Sequence, residues 1–395
     1  MNSTYPANWQ NPHHYDLRTR RRSPGRRFLY WSIGVLLTIL IGLVLFIKLD
    51  TAAAANFTDQ VLRPWIGDAN VVALERIFFN AEDKANQIKY AVAKPQSPFL
   101  VTDGTSTSSI HSTLHSNQLD LSNIATTASS SLEGEGQWHD IPLDLFPNQV
   151  VLADTFIRPD PARSYAFTTL VQMDMSKLQM WSVAGTVEPG SKAGNPGPGL
   201  IPQSVHDAGI LVAAFDGGFQ YRDGQYGMIV GKTTYLPLKN DLATLVGHND
   251  GRLEIIKYEG QDLGNDVAFV RQNCPMLIEN GVIGTQDDTN RQLWGRTITT
   301  DIYTWRSGVG ITAKGNLVFA AGNSLVPSTL AAALKAAGAV NAMQLDINPH
   351  WVRFNVFNNF SNNHYTSVLV MKGLVDGSYS YLHGYPKDFF YLTKK

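Results

Sequence analysis

The sequence predicts an α+β fold: a strand-rich domain around a mixed sheet with few helices, preceded by one N-terminal transmembrane helix. Three features carry that expectation. Residues 28–47 form an uncharged run of 20. From about residue 134 onward, short apolar or alternating runs follow one another between Gly, Asn and Asp turns, which is the pattern of strands and hairpins. One strong helical period, TLAAALKAA over residues 329–337, interrupts them.

The chain opens on a basic tail. Residues 1–27 carry Arg18, Arg20, Arg21, Arg22, Arg26 and Arg27 against Asp16, although the whole 395-residue chain has a net charge of only -1. Such near-neutrality excludes a strongly basic nucleic-acid binder. At 1.5 Å per residue, the apolar run is long enough as a helix to cross a hydrocarbon core of about 30 Å. Tyr30 and Trp31 stand where an interfacial aromatic belt belongs, and only Lys48 immediately follows the run. The positive-inside rule then places residues 1–27 in the cytoplasm and 48–395 outside, in a single-pass cell-membrane protein. A cleaved signal peptide is the alternative, since Ala52-Ala53-Ala54-Ala55 offers small residues to a peptidase. The apolar core exceeds the roughly 7–15 residues of such a peptide, so an uncleaved signal anchor is expected.

Residues 48–93 read as a helical stalk or docking segment. Val61, Leu62, Trp65 and Ile66, then Val71, Val72, Leu74, Ile77 and Phe78, recur at helical spacing. Residues 94–133 are rich in Ser and Thr and read as a linker. They include His111 and His115, whose spacing is read as coincidence. The folded domain is expected over 134–395. Its strands are expected at 164–174, paired with 178–184, and at 210–215. Hairpins are expected at 226–238, at 243–258 turning on Asn249-Asp250-Gly251, and at 309–319 turning on Lys314-Gly315-Asn316. Ser328 is the expected N-cap of the helix and Gly338 its stop. Strands follow at 342–345, 351–357 and 366–371. Cys274 is the only cysteine, so no intrachain disulfide can form, and it reads as a small buried residue.

Three places could carry chemistry. The apolar run 210–215 stops at Asp216-Gly217-Gly218; the run 342–345 stops at Asp346 and continues Ile347-Asn348-Pro349-His350; and Arg306 opens a Gly-containing strand. Two carboxylates at strand ends are what glycosidic cleavage requires, one as proton donor and the other as nucleophile or base. A guanidinium fork suits phosphate, and a histidine can move a proton or orient a carboxylate. Asp216, Asp346 and His350 are therefore the candidate catalytic residues. Gly217, Gly218, Arg306 and Asn348 are the candidates for binding substrate, the glycines by positive φ or close backbone approach. Turn chemistry at Asp216-Gly217 and at Asp346-Ile347-Asn348-Pro349 is the plainer alternative. No P-loop, dinucleotide fingerprint, HExxH or GxSxG motif occurs. No cofactor or metal is expected, and the oligomeric state is left open.

Taken in order, these segments resemble the phosphodiester glycosidase family. Phe215-Asp216-Gly217-Gly218-Phe219 resembles that family's Asn-Gly-Gly-Phe-Phe, with Asp in place of Asn. Residues 306–317 resemble its Arg-led hairpin, and Pro275-Met276-Leu277 through Gly281 its Pro-x-Leu strand. Thr329-Leu330-Ala331, Ala337-Gly338 and Leu345-Asp346 fit its helix and following strand, but Ile347-Asn348 replaces Gly-Gly. The likeness spans about residues 134–372. It implies a carbohydrate or sugar-phosphate substrate and a hydrolase acting on a sugar-1-phosphodiester in a surface glycan or exopolysaccharide. The altered positions leave a non-catalytic glycan-binding or assembly role as the alternative.

Overall fold

The structure, a computed structural model, describes residues 118–127, 131–190, 193–284, 290–295, 303–361 and 364–395, together with short pieces that include a helix at 84–90. The chain divides into two units, residues 1–61 and 62–395, and the strands and helices of the fold belong to the second. The expected span at 28–47 lies almost wholly outside the described residues, as do His111 and His115; of the span only Trp31, Gly34, Thr38 and Gly42 are described, all helical. Among the described residues no helix is long and apolar enough to cross a membrane.

In chain order the strands are β1 (His139–Asp140), β2 (Leu152–Ile157), β3 (Thr168–Met173), β4 (Leu178–Val183), β5 (Leu211–Asp216), β6 (Met228–Val230), β7 (Thr233–Leu236), β8 (Leu242–His248) and β9 (Leu253–Tyr258). They continue as β10 (Val267–Asn273), β11 (Met276–Glu279), β12 (Val282–Ile283), β13 (Thr304–Thr312), β14 (Leu317–Leu325), β15 (Ala339–Ile347), β16 (Phe354–Ser361), β17 (His364–Leu369) and β18 (Phe389–Lys394). The helices are short: α1 (Gln203–Asp207), α2 (Arg291–Trp294), α3 (Pro327–Ala336) and α4 (Ser378–His383).

The strands form three sheets, ordered β1-β2-β3-β14-β13-β15-β11-β12, β17-β16-β5-β18-β4 and β7-β6-β10-β8-β9. Strand-rich architecture with few helices is as expected, but the sheets are not mixed. Every pairing between named strands is antiparallel. Parallel neighbours need long crossover connections, whereas β6–β7, β8–β9, β11–β12, β13–β14 and β16–β17 are antiparallel hairpins closed by short connections.

The sheets meet on aromatic side chains. Phe215 stacks on Phe354 at 5.6 Å, Phe354 lies 4.8 Å from Phe319, and Phe390 bridges Phe215 to Phe269 at 5.6 and 5.8 Å. Burial on both faces explains why β3 and β5 are covered at every position and why β5 reads as a continuous apolar run. On the outer face of the largest sheet, α3 packs Leu330, Ala331 and Leu334 against Leu170, Ala320 and Ala342. Gly308 and Gly310 of β13 serve this packing. A Cβ on Gly308 would stand 3.2 Å from Leu330 and Leu334, and one on Gly310 would stand 2.5 Å from Ala339.

Several local expectations change. The 178–184 strand does not pair with β3; β4 joins β18 near the C-terminus, while β3 lies between β2 and β14. The N-cap of α3 is Val326, whose N–H donates to the Thr329 hydroxyl at 3.0 Å, and Ser328 turns to Asp288. Gly338 ends the helix at φ 89 as expected. Residues 118–127, expected in the linker, lie against the domain. Leu119 is buried, Asp120 and Gln172 exchange two hydrogen bonds, and Trp138 Nε1 donates to Ser122 O at 3.1 Å. Cys274 is buried, and desolvation pushes its thiol up to about 12.

Candidate active site

The candidate site lies where one end of each sheet converges. β5 delivers Asp216 at its last residue, β13 and β15 deliver Ser307 and Asp346, β10 delivers Arg271 and Asn273, and the approach to β18 delivers Lys387 and Asp388. A bulge sets the register. Arg306 pairs with Ile347 but Gly308 pairs with Gln344, so β15 carries one extra residue opposite Ser307. A bulge of this kind re-aims a side chain and bends its strand. Here it brings the start of Asp346 against Asp216.

Asp216 and Asp346 are joined through Ser307. The Ser307 hydroxyl donates to Asp216 Oδ2 at 2.5 Å and accepts the Asp346 N–H at 3.1 Å. The same N–H lies 3.3 Å from Asp216 Oδ2, and Arg353 N–H donates to Asp216 Oδ1 at 2.9 Å. Asp346 Oδ1 accepts its neighbour's N–H, from Ile347, at 2.9 Å, while Oδ2 pairs with the Lys387 ammonium. Lys387 also stands 4.7 Å over the Trp351 ring.

Both carboxylates are buried, and both resist ionisation. Burial, then the charge of Asp346, raises Asp216 to about 7. Burial raises Asp346 to about 6, a smaller rise because the Lys387 charge opposes it. Burial raises both, and the Lys387 charge opposes the rise only at Asp346, an asymmetry of the kind that acid–base pairs exploit. The steps belong to the coupled pair as much as to either residue.

The glycines have another task than the one expected of them. Neither Gly217 nor Gly218 has positive φ. A Cβ on Gly217 would stand 2.1 Å from Asp388 Oδ2, and one on Gly218 would stand 2.6 Å from the Arg271 guanidinium. Their bareness makes room for a buried ion pair. Arg271 holds Asp388 at 2.8 and 3.1 Å and donates to Phe219 O at 2.9 Å, while Gly218 N–H donates to Asp388 Oδ2 at 2.9 Å. The loop after β5 is thereby pinned to β10 and β18.

Arg306 lies next to Ser307 on β13, and adjacent strand residues face opposite ways. Its guanidinium donates to Leu325 O at 3.0 Å, Gln344 Oε1 at 2.9 Å and Trp294 O at 3.4 Å, with 2% of the residue exposed. It fastens α2 and the end of β14 rather than facing the carboxylates. Asn348 occupies the position of the second missing glycine and adopts φ 78, with its N–H on Trp305 O at 3.0 Å. Asn tolerates this left-handed conformation better than most residues, so the turn survives the loss of Gly-Gly. His350 sits half-buried beside Trp351, ring centroids 6.5 Å apart, and its carbonyl accepts Arg353 Nε at 3.2 Å.

Sequence reasoning brought together Asp216 and Asp346 but missed Ser307, Lys387, Asp388, Arg271 and Arg353. Lys387-Asp388 had a usable signal, since it repeats the pattern of charge abutting an apolar run, here at the start of β18 instead of an end. Among the described residues no group of three His, Cys, Asp or Glu side chains could hold a metal ion.

Residues 209–346 match the family model described as phosphodiester glycosidase. The resemblance carried by the ordered segments is borne out over that stretch. Among solved structures, the chain is similar to the zebrafish N-acetylglucosamine-1-phosphodiester alpha-N-acetylglucosaminidase catalytic domain auto-inhibited by its pro-peptide, at 14% identity and TM-score 0.37, covering 65% of this chain and 88% of that one. A hypothetical protein from Synechocystis matches at 12% identity and TM-score 0.32, covering 62% of each chain. A putative exported protein from Burkholderia pseudomallei matches at 11% identity and TM-score 0.28, covering 58% and 74%. No curated protein sequence matches the chain.

Proposed function

We propose, from the match of residues 209–346 to the phosphodiester glycosidase family model, that the protein is a membrane-anchored extracytoplasmic hydrolase cleaving a sugar-1-phosphodiester linkage in a surface glycan or exopolysaccharide. The observation that carries the chemistry is the buried Asp216–Ser307–Asp346 bridge with Lys387 on its far carboxylate oxygen. Asp216, raised to about 7, keeps a proton near neutrality and gives it to the departing phosphate oxygen. Asp346, held ionised by Lys387, attacks the anomeric carbon or draws a proton from the attacking water. The bond from that carbon to the phosphate oxygen breaks as the bond to the carboxylate or water oxygen forms. The anchor rests on the uncharged run at 28–47 and the arginines before it.

Purified full-length protein should release free sugar from a UDP-sugar or another sugar-1-phosphate diester. A specific feature favours a second reading, a glycan-binding or assembly protein without turnover: the Asp216 oxygens already accept three hydrogen bonds from within the protein. Saturable glycan binding with no sugar released from any such diester would select that reading.

A further inference from the structure

We propose that Arg353, with the Tyr381 hydroxyl beside it, forms the anion subsite of this site and takes the phosphate of the substrate. This rests on the sugar-phosphate reading of the site and moves the role expected of Arg306 to a residue beyond the family match.

The other cations near the carboxylates are already committed. Arg306 donates to Leu325 O, Trp294 O and Gln344, Arg271 closes on Asp388, and Lys387 pairs with Asp346. Arg353 differs. It is half-buried, its Nε donates to His350 O at 3.2 Å, and its guanidinium lies 4.7 Å over the Tyr385 ring. Among the described residues Nη1 and Nη2 meet no acceptor. Asp376 is near enough to feel the charge, but its Oδ1 accepts from Asn355 and Ser378. The backbone fixes where this fork starts, because Arg353 N–H and C=O bond Asp216 Oδ1 and N–H at 2.9 and 3.3 Å. A planar fork held at Nε and by ring stacking, with its two terminal amines open, is preorganised for two phosphate oxygens.

Tyr381 supplies an independent observation. Its side chain is fully buried and its hydroxyl has no hydrogen-bond partner. An orphaned buried hydroxyl is unfavourable, so a partner that arrives with a ligand explains its retention. Arg353, Asp216 and Asp346 all act electrostatically on this hydroxyl. Gly377 lets the two side chains lie together, since a Cβ there would stand 3.1 Å from both Arg353 Cδ and Tyr381 Cζ.

Inorganic phosphate titrated calorimetrically into the purified full-length chain tests this. Arg353→Gln should weaken binding at least tenfold. Arg353→Lys, which keeps the charge but loses the fork, should fall between, and it decides the matter if the Gln variant does not fold. Tyr381→Phe should weaken binding several-fold with an unchanged or raised melting temperature, an outcome a merely structural hydroxyl would not give. Folded Arg353 variants that bind phosphate as the wild type does would overturn the proposal, as would a wild type blind to millimolar phosphate. Phosphate binding lost in Arg353→Gln, with no turnover in the wild type, would sustain the subsite and remove the hydrolase. Turnover with an unaltered KM in Arg353→Gln would do the reverse.

Discussion

Under the proposed reading, Asp216 is the residue on which the chemistry and the stability of this site both turn. With Asp346 required as carboxylate and Asp216 as acid, kcat/KM should rise through about 6 and fall above about 7, giving a bell-shaped profile with its maximum between them. Ser307→Ala removes a hydrogen bond that favours the ionised form of Asp216, so the alkaline limb of that profile should move upward. An unmoved limb would detach Asp216 from it. The same group makes stability depend on pH. Its folded value, about 7, lies above the ordinary aspartate value of 3.8, so the folded state holds the proton more tightly. Its contribution is complete below the unfolded value and is lost as pH rises through about 7. Asp216→Asn should therefore gain melting temperature relative to the wild type between pH 4 and 8, as calorimetry would show. Asp154, also raised to about 7 by burial, lies outside the site, and its Asn variant provides the comparison.

At the scale of elements, the loop after β5 depends on two absent side chains. Gly217→Ala places a methyl 2.1 Å from Asp388 Oδ2 and forces the Arg271–Asp388 pair apart. Breaking a buried pair costs about 3–5 kcal/mol, so the urea midpoint should drop sharply; a loss below about 1 kcal/mol, the scale of an ordinary surface change, would show that the pair is not what the glycine protects. Local elements were legible because their signals are local. The β8–β9 hairpin turns at Asn249-Asp250-Gly251, the β13–β14 hairpin at Gly315 with φ 80, and α3 stops at Gly338. Each rests on a glycine at positive φ, a backbone geometry that few other residues suit. For the same reason the strand-end pattern located Asp216 and Asp346 at the ends of β5 and β15. What was hidden is non-local. β4 seeks β18, more than 200 residues on by the Leu178–Lys394 register, and no short-range pattern names that partner. Arg306 was misjudged because alternation along β13 depends on the bulge opposite it, and Ser307, one residue away, faces the carboxylates.

Across the whole molecule, the C-terminal strand completes the site that the middle of the chain begins. Lys387 and Asp388 stand at its entrance and pair with Asp346 and Arg271, so truncation before residue 385 should abolish both folding and ligand binding. The domain also reaches back to residues 118–127, which bond to Gln172, Trp138 and Asn316. Removing residues 1–47 should move the protein from the membrane to the soluble fraction after cell breakage; retention in the membrane would contradict the anchor placed there. The central claim is that Asp216 and Asp346 form the working pair, and it is tested most directly by Asp346→Asn in the purified full-length protein, assayed for sugar release from a UDP-sugar or sugar-1-phosphate diester that the wild type cleaves. Release should fall to background with the melting transition retained. Release at the wild-type rate would contradict the assignment.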